Sequence, residues 1–239
     1  MKTAFFLSLL IAVFPFAAQA ERSSQSELSS QFEACTEKAE DMDDWFSCAD
    51  AETERQDKRL NRAYQSRLNT QGTNNNKKSL QEAPRAWVKY RDANCELYYF
   101  EASGSGSIRA HDSARVCVLA MTKMRADELE LKGVEIHMGS QQFNVCIKTE
   151  KVDDCFDAET ELQNQRLNRS YESLLNTPDA ESKKSLQNAQ RTWFKYRDAN
   201  CLFYLASHSS ASQDECLQSM TAKRAEELED VSFNRFLRD

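Results

Sequence analysis

Glycine and proline are scarce in this chain, at five and three among 239 residues. A β-sandwich or barrel uses both freely in tight turns, so their scarcity argues against an all-β fold. Histidine numbers only three, and no two cysteines stand as a CxxC pair, which argues against a structural metal site. Positive charge is in deficit: 31 Lys and Arg face 38 Asp and Glu, for a net charge of −7. A nucleic-acid binder needs a basic stripe to replace phosphate counterions, and none is present. After residue 16 no apolar run approaches the roughly 20 residues of a bilayer helix. The chain does have apolar residues in quantity, 40% of the total with 10% aromatic, enough for a packed core. Long helices are the fold this composition favours.

The first twenty residues stand outside that fold. Lys2 gives a positive start, residues 4–16 are almost wholly apolar, and Ala18-Gln19-Ala20 places small residues where a signal peptidase reads. Residues 1–20 are therefore expected to be a signal peptide cleaved near Ala20, delivering a periplasmic or secreted protein. No cysteine follows the cleavage point, so neither a lipid nor a membrane anchor is expected. Loss of Lys2 leaves 30 basic against 38 acidic residues, a balance that suits a cationic partner by electrostatic steering.

The dominant signal is an internal repeat. Residues 48–70 read CADAETERQDKRLNRAYQSRLNT, and residues 155–177 read CFDAETELQNQRLNRSYESLLNT. Residues 77–95 read KKSLQEAPRAWVKYRDANC, and residues 183–201 read KKSLQNAQRTWFKYRDANC. A third match pairs Cys117, Thr122, Arg125, Ala126, Glu128 and Leu129 with Cys216, Thr221, Arg224, Ala225, Glu227 and Leu228. Blocks of this size mark a duplicated domain rather than a short solenoid unit. The division falls at residues 133–142, a linker holding Gly133 and Gly139, between a first domain at 27–132 and a second at 143–237. Each is about 100 residues, large enough for its own core when cross-linked.

Within each copy the apolar positions recur at helical spacing. Leu60, Tyr64 and Leu68 correspond to Leu167, Tyr171 and Leu175. Ala83, Trp87, Tyr90, Asn94 and Leu97 correspond to Ala189, Trp193, Tyr196, Asn200 and Phe203. The expected fold is all-α: two tandem disulfide-stapled small helical bundles, each with a short first helix and three longer ones, joined by a short linker. Thr177-Pro178-Asp179 resembles a helix start, with a cap residue and proline at the first helical position. Pro84 falls inside the equivalent helix of the first copy and is expected to kink it or delay its start.

Each copy holds four cysteines: Cys35, Cys48, Cys95 and Cys117, then Cys146, Cys155, Cys201 and Cys216. An even set in an exported chain implies disulfides. Cys95 and Cys117 flank one Ser-rich turn as Cys201 and Cys216 flank another, which favours those two pairs and leaves Cys35–Cys48 and Cys146–Cys155. A rival pairing links Cys48 to Cys95 and Cys35 to Cys117, with the same pattern in the second copy. Both fit the spacing.

The order of motifs is two early cysteines, Leu-Asn-x-x-Tyr, a Gln-x-x-Trp-x-x-Tyr-Arg-Asp-x-x-Cys helix, a small-residue turn, a fourth cysteine and Arg-Ala-x-x-Leu. It resembles the LprI-type lysozyme-inhibitor domain of exported bacterial proteins. The second copy matches through Leu167, Asn168, Tyr171, Gln190, Trp193, Tyr196, Arg197, Asp198, Cys201, Cys216 and Arg224. The first matches through Leu60, Asn61, Tyr64, Trp87, Tyr90, Arg91, Asp92, Cys95, Cys117 and Arg125, and departs at Pro84, where the family has glutamine. The resemblance implies a helical binding protein whose partner is a cationic lysozyme or another muramidase.

Trp87 and Trp193 lie on the apolar stripe and are expected in the core. Arg91-Asp92 and Arg197-Asp198 invite a catalytic reading, but each arginine is expected to bond an acid on a neighbouring helix, such as Glu52 or Glu159. No carboxylate pairs with a repeated histidine, a serine nucleophile or a phosphate loop, so no catalytic residue, cofactor or metal is assigned. Two connectors are candidate target-binding loops, through Ser103, Ser105 and Ser107 in one copy and Ser207, Ser209 and Ser210 in the other. Their hydroxyls suit a sugar-binding cleft lined by carboxylates. The alternative to lysozyme inhibition is an envelope structural or interaction module that binds another protein.

Overall fold

The computed structural model describes residues 28–70, 77–102, 108–130, 139–149, 151–176, 179–207 and 212–236. The expected signal peptide and most of the two serine-bearing connectors lie outside them. The first copy comprises α1 (Ser30–Thr36), α2 (Met42–Thr70), α3 (Lys77–Ala102) and α4 (Ile108–Glu130). The second repeats the order with α5 (Gln141–Thr149), α6 (Val152–Leu175), α7 (Ala180–Ser207) and α8 (Gln213–Phe236). The described residues contain no strand, and the protein is all-α with four disulfides.

Short polar side chains start these helices by accepting from amides that have no intrahelical partner. The Ser29 Oγ accepts from Phe32 N at 3.1 Å, and Ser140 Oγ accepts from Phe143 N at 3.1 Å. Asp41 Oδ1 accepts from Asp44 N at 2.9 Å ahead of α2. At α7 the cap is Asp179, whose Oδ2 accepts from Ser182 N at 2.6 Å. The helix therefore starts at Ala180, two residues beyond the proline that the sequence placed in its first turn. Pro84 stands inside α3, which begins at Lys77, so the proline does not delay the helix.

The four bridges follow the first of the two pairings. Cys35–Cys48 ties α1 to α2, and Cys95–Cys117 ties α3 to α4, with Cα atoms 5.7 and 5.5 Å apart. Cys146–Cys155 and Cys201–Cys216 do the same in the second copy, at 5.7 and 5.6 Å. The rival pairing fails because each bridge spans the short connection between consecutive helices, where the sulfurs already face each other.

Helix α2 packs on α4, and α6 packs on α8, but the most extensive helix pair is α3 with α7, from different copies. The main apolar core accordingly crosses the duplication. It holds Leu60, Tyr64, Trp87, Tyr90 and Leu97 from the first copy with Leu167, Leu186, Trp193, Tyr196 and Phe203 from the second. The duplication produced two units that share one core. A smaller cluster of Phe32, Cys48, Ala49 and Leu119 seats α1 on the first copy.

Candidate functional site

The α3–α7 spine is built around a local two-fold relation. Tyr90 and Tyr196 occupy equivalent positions and stack on each other, their ring centroids 5.3 Å apart and their planes 9° from parallel. On either side an arginine from the last helix of one copy crosses to the asparagine of the other. Arg125 donates through Nη2 to Asn200 Oδ1, and Arg224 donates through Nη1 to Asn94 Oδ1 at 2.7 Å. Both arginines are almost fully buried, at 3% and 1% exposure. A guanidinium at such depth must be paired, because an uncompensated buried charge costs several kcal/mol. Glu128 supplies one partner for Arg125 and Glu227 one for Arg224, each at 2.7 Å.

The Nε atoms break the symmetry, and the sequence explains how. Arg224 Nε donates to Gln190 Oε1 at 3.2 Å. The residue equivalent to Gln190 is Pro84, which has no side-chain acceptor. Arg125 Nε donates instead to Tyr64 Oη at 3.0 Å. Departure from the repeat at one residue is thus answered by a different bond at another. Burial raises the phenol pKa of Tyr90 and of Tyr196 well above the ordinary value, so both rings stay neutral. Burial also pushes the Glu128 carboxyl up, but the cations of Arg125 and Lys223 outweigh it and hold the group below the ordinary carboxylate value.

Over this spine α4 and α8 stand apart and leave an open groove of about 1180 Å³. Its floor is the buried Tyr90–Tyr196 pair with Asn94 and Asn200, and its far end reaches Trp45 and Phe46 on α2. One wall carries Val116, Ala120, Met121 and Met124 of α4, and the other carries Ser219, Met220 and Lys223 of α8. All three tryptophans of the chain, Trp45, Trp87 and Trp193, line it. Met42, Val116 and Met124 are exposed there, Met124 at 68%.

Trp87 and Trp193 are buried in the shared core as well as bordering the groove. Arg91 lies over the Trp87 ring, 5.1 Å from its centroid, and Arg197 lies over Trp193 at 5.2 Å. Arg91 does bond an acid on the neighbouring helix α2, but it is Asp57 at 3.3 Å rather than Glu52, and it also reaches Thr122 at 3.1 Å and its neighbour Asp92. Arg197 pairs with its own neighbour Asp198 at 2.8 Å rather than with Glu159. Glu52 and Glu159 are engaged elsewhere. Glu52 accepts from the Ser29 amide and hydroxyl and from Gln56, and Glu159 accepts from the Ser140 amide and hydroxyl and from Gln163. These carboxylates anchor the chain where it enters α1 and α5, a role no local motif announces. Among the candidate loop residues, Ser207 ends α7, whereas Ser103, Ser105, Ser107, Ser209 and Ser210 lie outside the described residues. Among the described residues no group of three His, Cys, Asp or Glu could hold a metal ion, and no helix is long and apolar enough to cross a membrane.

Two copies of a disulfide-stapled helical unit, joined through a shared spine under an apolar groove, define a duplicated all-α protein. The chain belongs to the family described as lysozyme inhibitor LprI, whose model matches residues 35–129 and 146–228, one segment in each copy. A crystal structure of an uncharacterised protein from Burkholderia thailandensis has the same fold, with a TM-score of 0.56 at 19% identity over 84% of this chain and 94% of that one. No curated protein sequence matches the chain.

Proposed function

We propose that this protein is an exported, non-enzymatic inhibitor of lysozyme or a related muramidase, and that it acts by occluding the active-site cleft. The observation that carries this reading is the match of both copies to the lysozyme-inhibitor family. Two features support it: a net charge of −7, which steers a basic enzyme toward the protein, and four disulfides that suit an oxidising compartment. Inhibition by occlusion requires no catalytic group, only a rigid surface held against the cleft. The connectors bearing Ser103, Ser105 and Ser107, and Ser207, Ser209 and Ser210, are the elements proposed to reach the catalytic carboxylates with their hydroxyls. A cell-wall turbidity assay with the mature protein tests the proposal. Stoichiometric protein at micromolar concentration is expected to slow lysis by hen egg-white lysozyme. Undiminished lysis across several lysozyme types would sink it in favour of an envelope interaction module.

A further inference from the structure

The groove between α4 and α8 differs from the connectors in being built jointly by the two copies, and its chemistry selects an occupant. Its volume of about 1180 Å³ exceeds the ~300–1,000 Å³ of a typical small-molecule site, and it opens to solvent. Such a trough matches a protein segment laid between two helices. Its floor and walls supply aromatic rings and methionine, surfaces that adapt to apolar side chains. Six carboxylates line it: Asp127, Glu128 and Glu227 are bonded to Arg59, Arg125 and Arg224, and Glu215, Glu226 and Asp230 lie along α8. Lys223 is the exposed cation among them, since Arg125 and Arg224 are buried and bonded within the spine.

That charge pattern decides between occupants. A second copy of this chain would bring the same α8 carboxylates against themselves, and an anionic lipid would meet repulsion along that wall. We infer that the groove docks a segment of the target muramidase that carries apolar side chains flanked by lysine or arginine. This inference rests on the inhibitor reading and adds the surface that holds the enzyme. The apolar side chains would pack on Met121, Met124 and Met220 while the flanking cations meet Glu215 and Asp230. Neither copy alone could present this site, because one wall comes from each.

The test uses the full mature chain with Ala120→Arg/Met124→Lys, which places bulk and positive charge on an exposed wall of the groove. The variant Gln65→Lys/Ser66→Lys adds the same charge on exposed positions of α2 outside the groove. Unchanged circular dichroism confirms that both fold. The first variant is expected to weaken lysozyme inhibition about tenfold or more, and the second to stay within about twofold of the parent. A second arm uses a tryptophan-free amphipathic peptide of leucine and lysine. Its binding is read from the emission of Trp45, Trp87 and Trp193, with a leucine and glutamate peptide as control. The basic peptide is expected to shift emission in the parent and in Gln65→Lys/Ser66→Lys, with about tenfold weaker binding to Ala120→Arg/Met124→Lys. A folded groove variant that inhibits as well as the parent would overturn the docking surface and leave the inhibitor function standing. If the parent itself fails to inhibit, that function falls and the peptide arm decides the groove alone: selective binding keeps it as a site for basic segments, and unchanged emission overturns it.

Discussion

At the scale of single residues, the repeat is more informative where it breaks than where it holds. Gln190 and Pro84 differ, and the two buried arginines take different Nε partners as a result. The sequence displayed Arg125 and Arg224 as matched motif residues, but their crossing to Asn200 and Asn94 depends on packing between copies that no spacing encodes. Glu52 is not the partner of Arg91 that the sequence suggested. Its folded role follows from Ser29, 23 residues upstream, which no local pattern connects to it. Burial pushes the Glu52 carboxyl up, yet hydrogen bonds from Ser29, Gln56 and Arg55 prevail and hold it below its ordinary value of 4.5. A carboxylate with a depressed folded pKa contributes stability that is complete above its unfolded pKa and lost as the pH falls through the folded one. Glu52→Gln is therefore expected to cost about 1–3 kcal/mol at pH 7. Urea midpoints of the two proteins should converge as the pH drops below 4.5. A gap that persists unchanged at pH 3 would show that the charge is not what matters.

At the scale of elements, the long helices were readable because their apolar stripes are wide and regular, and the buried Leu60, Tyr64, Trp87 and Tyr90 sit where periodicity put them. Termini were less readable: Thr177-Pro178-Asp179 reads as a cap followed by proline in the first turn, whereas Asp179 itself holds the cap position. The short helices are a different case. Helix α1 has seven residues, too few to persist in water on helical propensity alone. Phe32 packed edge-on against Trp45, with centroids 5.9 Å apart, and the Cys35–Cys48 bridge keep it in place. Replacing both cysteines by serine should release this element before the rest of the molecule. Hydrogen exchange measured by mass spectrometry is expected to show residues 30–36 losing protection at least about tenfold while α3 and α7 keep theirs. Equal loss throughout would make α1 part of the global folding unit.

At the scale of the whole molecule, the sequence announced two domains, and the structure joins them through α3 and α7 into one core. The groove was illegible for the same reason: its walls lie about a hundred residues apart in the chain and meet only after the copies pair. A protease site inserted within residues 133–138 provides the test. After cleavage the two fragments are expected to co-elute as one species and to unfold in urea through a single transition, because each would otherwise expose its half of the spine. Separation into independently folded halves would contradict the shared core. The bridges carry a consequence of another kind, for how the protein is made. Each joins a cysteine to the next one along the chain, with sequence separations of 13, 22, 9 and 15. A chain emerging from an export channel can thus be oxidised in order of appearance, every second cysteine closing on the one before it. Its biogenesis then calls for an oxidant and is expected to depend little on a disulfide isomerase.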